Sequence, residues 1–386
     1  MVAAWAAPAQ ATVGDPLQTF ASLDYTHYDN LFLLPDQTPG FAGPRGDNAR
    51  QLAAGLDYTH AFGRQVVELR ASVSRVAYEH YDMLNYSGKD FSGDLEWHLG
   101  NHLQGHAGAS YVQSLTSFAD YHGQERDLRL ERRVYGDGEW RFHPSWRLRA
   151  AVREQAYGYE LKVRSVNDRR ENTFETGVDY LAPSGSAIGV LVRHVDGIYP
   201  NPSRVGTRLI QDNYGQDEVK ANVDWRLSAI TQATFQLGWA RRQHQQASER
   251  DDSGINGRGN LSWNPTSRLR FNLNAWREFA AIESTVATSS LNKGVGLSGT
   301  YDLTAKVQMT GSYRTEKRDF AKINGVPGFV GSHDSTNTAA LGVSYAPLPT
   351  MRVSLNGSHN QRSGLELAGT AAYRANSMSL SVSGQF

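Results

Sequence analysis

The chain has 386 residues, 39 of them basic and 39 acidic, so it carries no net formal charge. A neutral chain lacks the cationic surplus that nucleic-acid binding requires, so no nucleic-acid partner is expected. Without a single cysteine it has no disulfide framework, no cysteine-held zinc and no thiol nucleophile.

Its 37 Gly, 18 Tyr, 14 Phe and 8 Trp are a β-type composition. Mean hydropathy is negative. The longest apolar run in the body of the chain, AIGVLV (187–192), falls far short of the roughly 18 residues of a membrane-spanning helix. A transmembrane β-barrel reconciles these facts, because half of its strand residues face water inside and are free to be polar.

MVAAWAAPAQA (1–11) has the apolar stretch and the A-x-A site, Ala9-Gln10-Ala11, of the back half of a secretory signal peptide, without the basic n-region. Residues 1–11 are therefore expected to be a signal-peptide remnant and 12–386 one outer-membrane barrel. A first strand is expected over 17–28 (LQTFASLDYTHY). The connection after it, 30–49, is rich in Pro, Gly and Asn and is long enough to fold over or into a pore. DYTH occurs at 24–27 and 57–60, on strands both times, and reads as wall positions. His80 and Asp82, two apart, would share one face of a strand, the one place where a rim enzyme could find a His–Asp pair.

From residue 62 onward short turn signals recur: FGR (62–64), GNHL (100–103), HPSW (143–146), APSG (182–185), SAIT (228–231), NPTS (264–267), DLTA (302–305) and PLPT (347–350). Their starts lie on average about 41 residues apart, room for two strands, a tight turn and a longer loop. An aromatic precedes each turn: Tyr58, Trp97, Trp140, Tyr180, Trp225, Trp263, Tyr301 and Tyr345. Each shares the parity of the apolar residues on its strand. In GDLEWHL, Leu95, Trp97 and Leu99 fall on one face and Asp94, Glu96 and His98 on the other. An outward aromatic at one end of every second strand is half of a membrane girdle. In a soluble sandwich such residues would scatter along the strands. Eight short turns join sixteen strands, and the first and last strands make eighteen. The even number puts both termini on the short-turn, periplasmic side.

The segment 126–142, RDLRLERRVYGDGEWRF, puts Asp127, Arg129, Glu131, Arg133, Tyr135, Asp137, Glu139 and Arg141 on one face. The next strand adds Arg147, Arg149, Arg153 and Tyr157 to it. A lipid-facing Arg at mid-depth costs about 2–4 kcal/mol, so this row faces a wet lumen. By the same parity Arg270, Asn272, Asn274 and Trp276 line another wall. Two readings stay open. The charges brace the wall as cross-strand pairs, or Arg129, Glu131, Arg133, Asp137, Arg149, Arg153 and Arg270, with Tyr135, Tyr157 and Trp276, form a constriction suited to sugars.

Two further long connections, 196–215 and 317–336, read as extracellular loops. DDSGINGRGN (251–260) is at most a weak ion site, since it lacks the bidentate Glu of a calcium loop. GVGLSG (294–299) matches a dinucleotide fingerprint but runs into a strand, not a helix; its small residues are expected to ease strand curvature. With no Walker A, nucleophile elbow or zinc-protease motif, neither catalysis nor a cofactor or metal is expected. In the last strand, 373–386, Met378, Leu380, Val382, Gly384 and Phe386 face lipid and Ser379, Ser381 and Ser383 the lumen. Phe386 is the expected signal for the barrel-assembly machinery.

ASLDYTHYDNLFLLPD (21–36), an aromatic-rich strand followed by Asp-Asn-Leu-Phe and Pro-Asp, resembles the start of the EpsL family of exopolysaccharide-operon barrel proteins. Leu33 stands where that family often has Arg. The resemblance implies an outer-membrane exit for a secreted polysaccharide, with periplasmic export or co-polymerase proteins as partners. The residues themselves imply a channel in outer-membrane lipid and lipopolysaccharide of a Gram-negative bacterium, with a sugar-selective or general uptake porin as the alternative.

Overall fold

The computed structural model describes residues 16–386 except 122, 206, 247, 283–288, 321–331 and 365–370, so the expected signal-peptide remnant, 1–11, lies outside the described residues. Eighteen strands close into one antiparallel barrel. The first nine are β1 (Leu17–Tyr28), β2 (Asp47–Phe62), β3 (Gln65–Tyr78), β4 (Tyr86–Leu99), β5 (Leu103–Leu115), β6 (Leu128–His143), β7 (Trp146–Tyr159), β8 (Arg169–Leu181) and β9 (Ala187–Ile198). The short β10 (Ser203–Val205) and β11 (Arg208–Ile210) form a separate hairpin in the next loop. The barrel resumes with β12 (Tyr214–Ser228), β13 (Thr231–His244), β14 (Asp252–Thr266), β15 (Leu269–Ala281), β16 (Ser289–Asp302), β17 (Val307–Phe320), β18 (His333–Leu348), β19 (Met351–Ser363) and β20 (Tyr373–Gln385).

All eight predicted short turns fall between consecutive strands. β1 pairs with β2 on one side and β20 on the other, with Leu23 between Leu52 and Val382. Beyond β20, Phe386 and Thr19 exchange two backbone hydrogen bonds of 2.8 and 3.0 Å. Closure leaves no unpaired edge, the condition for strands in a hydrocarbon layer.

Register fixes which way each side chain points. Leu69 lies opposite Tyr58, Leu95 opposite Val67, and Leu237 opposite Ala221, and the same parity carries round the ring. Outward Leu23, Leu52, Val73, Val134, Val152, Val190, Leu237, Leu341 and Leu380 are all exposed. A soluble protein does not show such a belt; a bilayer covers it. The eight predicted girdle aromatics sit on this outer face at the short-turn end, with Trp140 and Trp225 about half exposed.

The structure corrects four expectations. Asp127 precedes β6 and is buried, its carboxylate accepting the Leu161 N–H at 3.0 Å, so it belongs to a loop junction and not to the charged wall. His80 and Asp82 lie beyond the end of β3, Asp82 in a short 3-10 turn, and His80 pairs with Asp47 at 2.9 Å. Residues 252–260 are part of β14, a ladder conformation that cannot wrap an ion. The expected loop 317–336 is shorter, because β17 continues to Phe320 and β18 begins at His333; residues 321–331 lie outside the described residues.

The glycine run 294–299 also has a more specific reason than curvature. Trp276 lies flat across Gly294, its partner on β16, and a Cβ there would stand 2.2 Å from the indole.

Candidate functional site in the lumen

All ten predicted lumen residues face inward, eight on β6 and β7 and two, Arg270 and Trp276, on β15, with five strands between β7 and β15. On the first wall the charges interlock. Arg129 lies 3.6 Å from Glu131 and 5.9 Å over the Tyr157 ring. Arg133 covers Tyr135 at 5.0 Å, and the Tyr135 hydroxyl donates to Asp94 of β4. Asp137 accepts the His106 backbone N–H at 3.0 Å. Asp179 of β8 takes both Arg147 and Arg149 at 2.7 Å, while Arg147 also reaches Glu139 at 2.8 Å. Arg153 stands among Arg133, Arg193, Glu175 and Asp137. Tyr157 lies 3.9 Å beneath Arg169.

On the other wall Arg270 pairs with Asp302 at 2.8 Å. The Trp276 indole N–H donates to Glu316 at 3.0 Å, and Arg314 stacks 4.0 Å above its ring while bonding the same carboxylate at 2.7 Å. Inward Asn260, Asn272, Thr310, Ser312 and Arg314 are exposed, so this side of the lumen is open to water.

Two features were not singled out from the sequence. The first is Glu218 on β12, which accepts hydrogen bonds from Arg193 at 3.2 Å, Asn256 at 2.9 Å and Gln216, and forms an ion pair with Lys220 at 2.6 Å. Both Glu218 and Lys220 are almost fully buried. Strand alternation points Lys220 inward, yet periodicity along one strand says nothing of partners from β9 and β14.

The second is a pair of loops turned inward. Residues 30–34 enter the mouth after β1 and bury Leu31, Phe32, Leu33 and Leu34 against Val76, Tyr78, Tyr81 and Leu84. Phe32 meets Tyr81 at 4.7 Å and Phe118 at 4.9 Å, edge to face. Phe118 belongs to the β5–β6 loop, which continues across the lumen. There Asp120 bonds Arg318 of β17 at 2.9 Å and Arg362 of β19 at 3.0 Å. Seven strands separate β17 from β5 round the wall, so the loop spans a chord of the barrel. Asp334 backs the same two arginines, and Arg362 also donates to the Ala119 carbonyl.

Burial alone would raise the Asp120 carboxyl, but the two guanidiniums outweigh it and hold the group well below the usual carboxylate range. Ala119, Arg314, Glu316, Thr338, Asn360 and Tyr373 line a polar cavity of about 190 Å³ beside this clasp.

Among the described residues no cluster of His, Asp or Glu could hold a metal ion.

Residues 212–386, a little under half of the chain, match the family described as "Putative beta-barrel porin 2". No curated protein matches the chain. Among solved structures, it is similar to Pseudomonas aeruginosa OccK2 (OpdF) in complex with glucuronate: TM-score 0.50 at 10% identity, covering 96% of this chain and 97% of that one. OccK2 without that ligand gives TM-score 0.50 and 10% identity, over 96% and 98% of the two chains. The likeness is one of fold. With the closed ring, the apolar belt and the wet interior, the chain is an outer-membrane β-barrel of a Gram-negative bacterium, built as a channel.

Proposed function

We propose that the barrel is an uptake channel for small hydroxyl-rich solutes, sugars and sugar acids, not an exit for a polymer. The observation that carries this reading is the β5–β6 loop drawn across the lumen and pinned by Asp120 to Arg318 and Arg362. A secreted polysaccharide needs a continuous wide passage, and a pinned crossing loop narrows it. The space left beside the loop offers what a sugar uses: the Arg314 guanidinium, backed by the Trp276 ring beneath it, and Thr338 and Asn360 for hydroxyls. A barrel of the same fold has been crystallised with glucuronate, a member of that solute class.

Export remains the second reading, resting on the resemblance of residues 21–36 to the EpsL family. Liposome swelling separates the two. Uptake predicts that glucose and glucuronate enter while dextran chains wider than the constricted lumen do not. Asp120→Asn should then raise the size limit. Passage of long dextrans through the unaltered barrel would overturn the proposal in favour of export.

A further inference from the structure

On the outer surface, charge is sorted by height. Several girdle aromatics have a charged residue eight positions toward the extracellular end on the same outward face. Tyr58 has Arg50, Trp97 has Lys89, Trp140 has Arg132 and Tyr301 has Lys293. Eight residues at about 3.3 Å each, tilted by about 40°, rise roughly 20 Å, which is most of an apolar band about 25 Å tall. The charges therefore stand where the outer leaflet's headgroups begin.

Most of these cations have an anion or a ring at hand within the protein. Arg50 meets Glu79 at 2.8 Å, Arg170 meets Glu154 at 3.7 Å, Arg241 faces Asp217 in register, and Arg132 lies 6.0 Å from the Tyr111 ring. One stretch differs. Arg277 of β15 lies directly opposite Lys293 of β16, which lies directly opposite Lys317 of β17. Like charges at opposed positions of a sheet repel. A single carboxylate, Asp319, serves both lysines, at 2.6 Å from Lys293 and 3.7 Å from Lys317. Arg277 donates instead to the Ile255 carbonyl. Among the described residues, three cations abreast meet one acid, an excess of two positive charges. Lys293 and Lys317 are exposed on the lipid-facing side, and outward Val295 and Leu297 extend below them toward the apolar belt.

We propose that Arg277, Lys293 and Lys317 form a binding site for a phosphate of the outer-leaflet glycolipid, lipopolysaccharide, with its acyl chains lying along the apolar surface beneath. The phosphate supplies the negative charge that the register of the three strands lacks, and the height of the cluster matches a headgroup and not an acyl chain. The site is independent of what the lumen conducts.

The test is binding of diphosphoryl lipid A to the detergent-solubilised barrel, measured for the unaltered chain and for Arg277→Gln/Lys293→Gln/Lys317→Gln. At about 1 kcal/mol per basic residue near an anionic surface, the triple change should weaken binding roughly a hundredfold. Lys89→Gln, on the far side of the barrel, should leave it nearly unchanged. Undiminished lipid A binding by the triple variant overturns the proposal. So does full competition by inorganic phosphate at the same concentration as the lipid, which would make this a site for a free anion. If the triple variant does not fold, as judged by heat-modifiable gel mobility, Asp319→Asn provides the second arm. Removing the competing carboxylate should tighten lipid A binding severalfold, and unchanged or weaker binding would contradict the site.

Discussion

Glu218 shows what a buried charge inside a water-filled barrel requires. It and Lys220 are both almost fully buried, and Gln216, Asn256 and Arg193 complete the shell. Glu218→Gln keeps the shape but leaves Lys220 without its anion, while Arg193 retains Glu175. Breaking a buried pair in this way costs about 3–5 kcal/mol. Urea unfolding in detergent should show a fall of that size, against a much smaller one for the exposed Arg258→Gln. On the neighbouring stretch of wall, Arg129, Arg133, Arg149 and Arg153 are interleaved with Glu131, Asp137 and Asp179. Both readings of that wall therefore rest on the same side chains. Replacing the four arginines with Ala leaves the acids in excess, and the reversal potential in a salt gradient should move toward cation preference. An unchanged potential would reduce the four to bracing. Which residues face inward was legible from period two alone. Which of them meet was not, because Glu218 draws partners from three strands and Asp120 from the far side of the ring.

At the scale of elements, the β5–β6 loop is held across the lumen by its clasp. Its clasp depends on an ionised Asp120, whose pKa is depressed by Arg318 and Arg362. A depressed carboxyl contributes stability that is full above its unfolded value, about 3.9, and is lost as pH falls through the lower folded value. Conductance should therefore be flat from about pH 5 to 8 and rise only in strong acid, whereas Asp120→Asn should raise it at every pH. A conductance step near neutral pH would assign the gate to another group. The sequence announced the loop 30–49 by its Pro and Gly content, and its burial of Phe32 fits the expectation that it folds inward. The loop after β5 escaped notice because its role rests on Asp120, one acidic residue among 39. The first and last strands, by contrast, were legible almost to the residue. Each short turn is bracketed by an aromatic and by polar residues, and β1 spans 17–28 as alternation predicts. At the last strand, we propose that Phe386 acts in assembly. Deleting it removes the bonds to Thr19 that finish closure, so insertion into the outer membrane should fall severalfold while any inserted barrel conducts normally.

For the whole molecule, composition, parity and turn spacing converge on one architecture, because a closed barrel forces every strand to obey the same inside–outside rule. What passes through is set by a few side chains that no periodicity marks, and there the argument rests on the clasp and on Trp276 with Arg314. The central claim is that the barrel is a narrowed, water-filled channel for small sugar-like solutes. The most direct test is single-channel current across a planar bilayer, with glucuronate and then a long dextran added to one side. The account predicts a steady ohmic conductance, transient block by millimolar glucuronate that is weakened by Trp276→Ala, and no entry of dextran. No conductance, or a wide pore that dextran enters and glucuronate does not block, would contradict it.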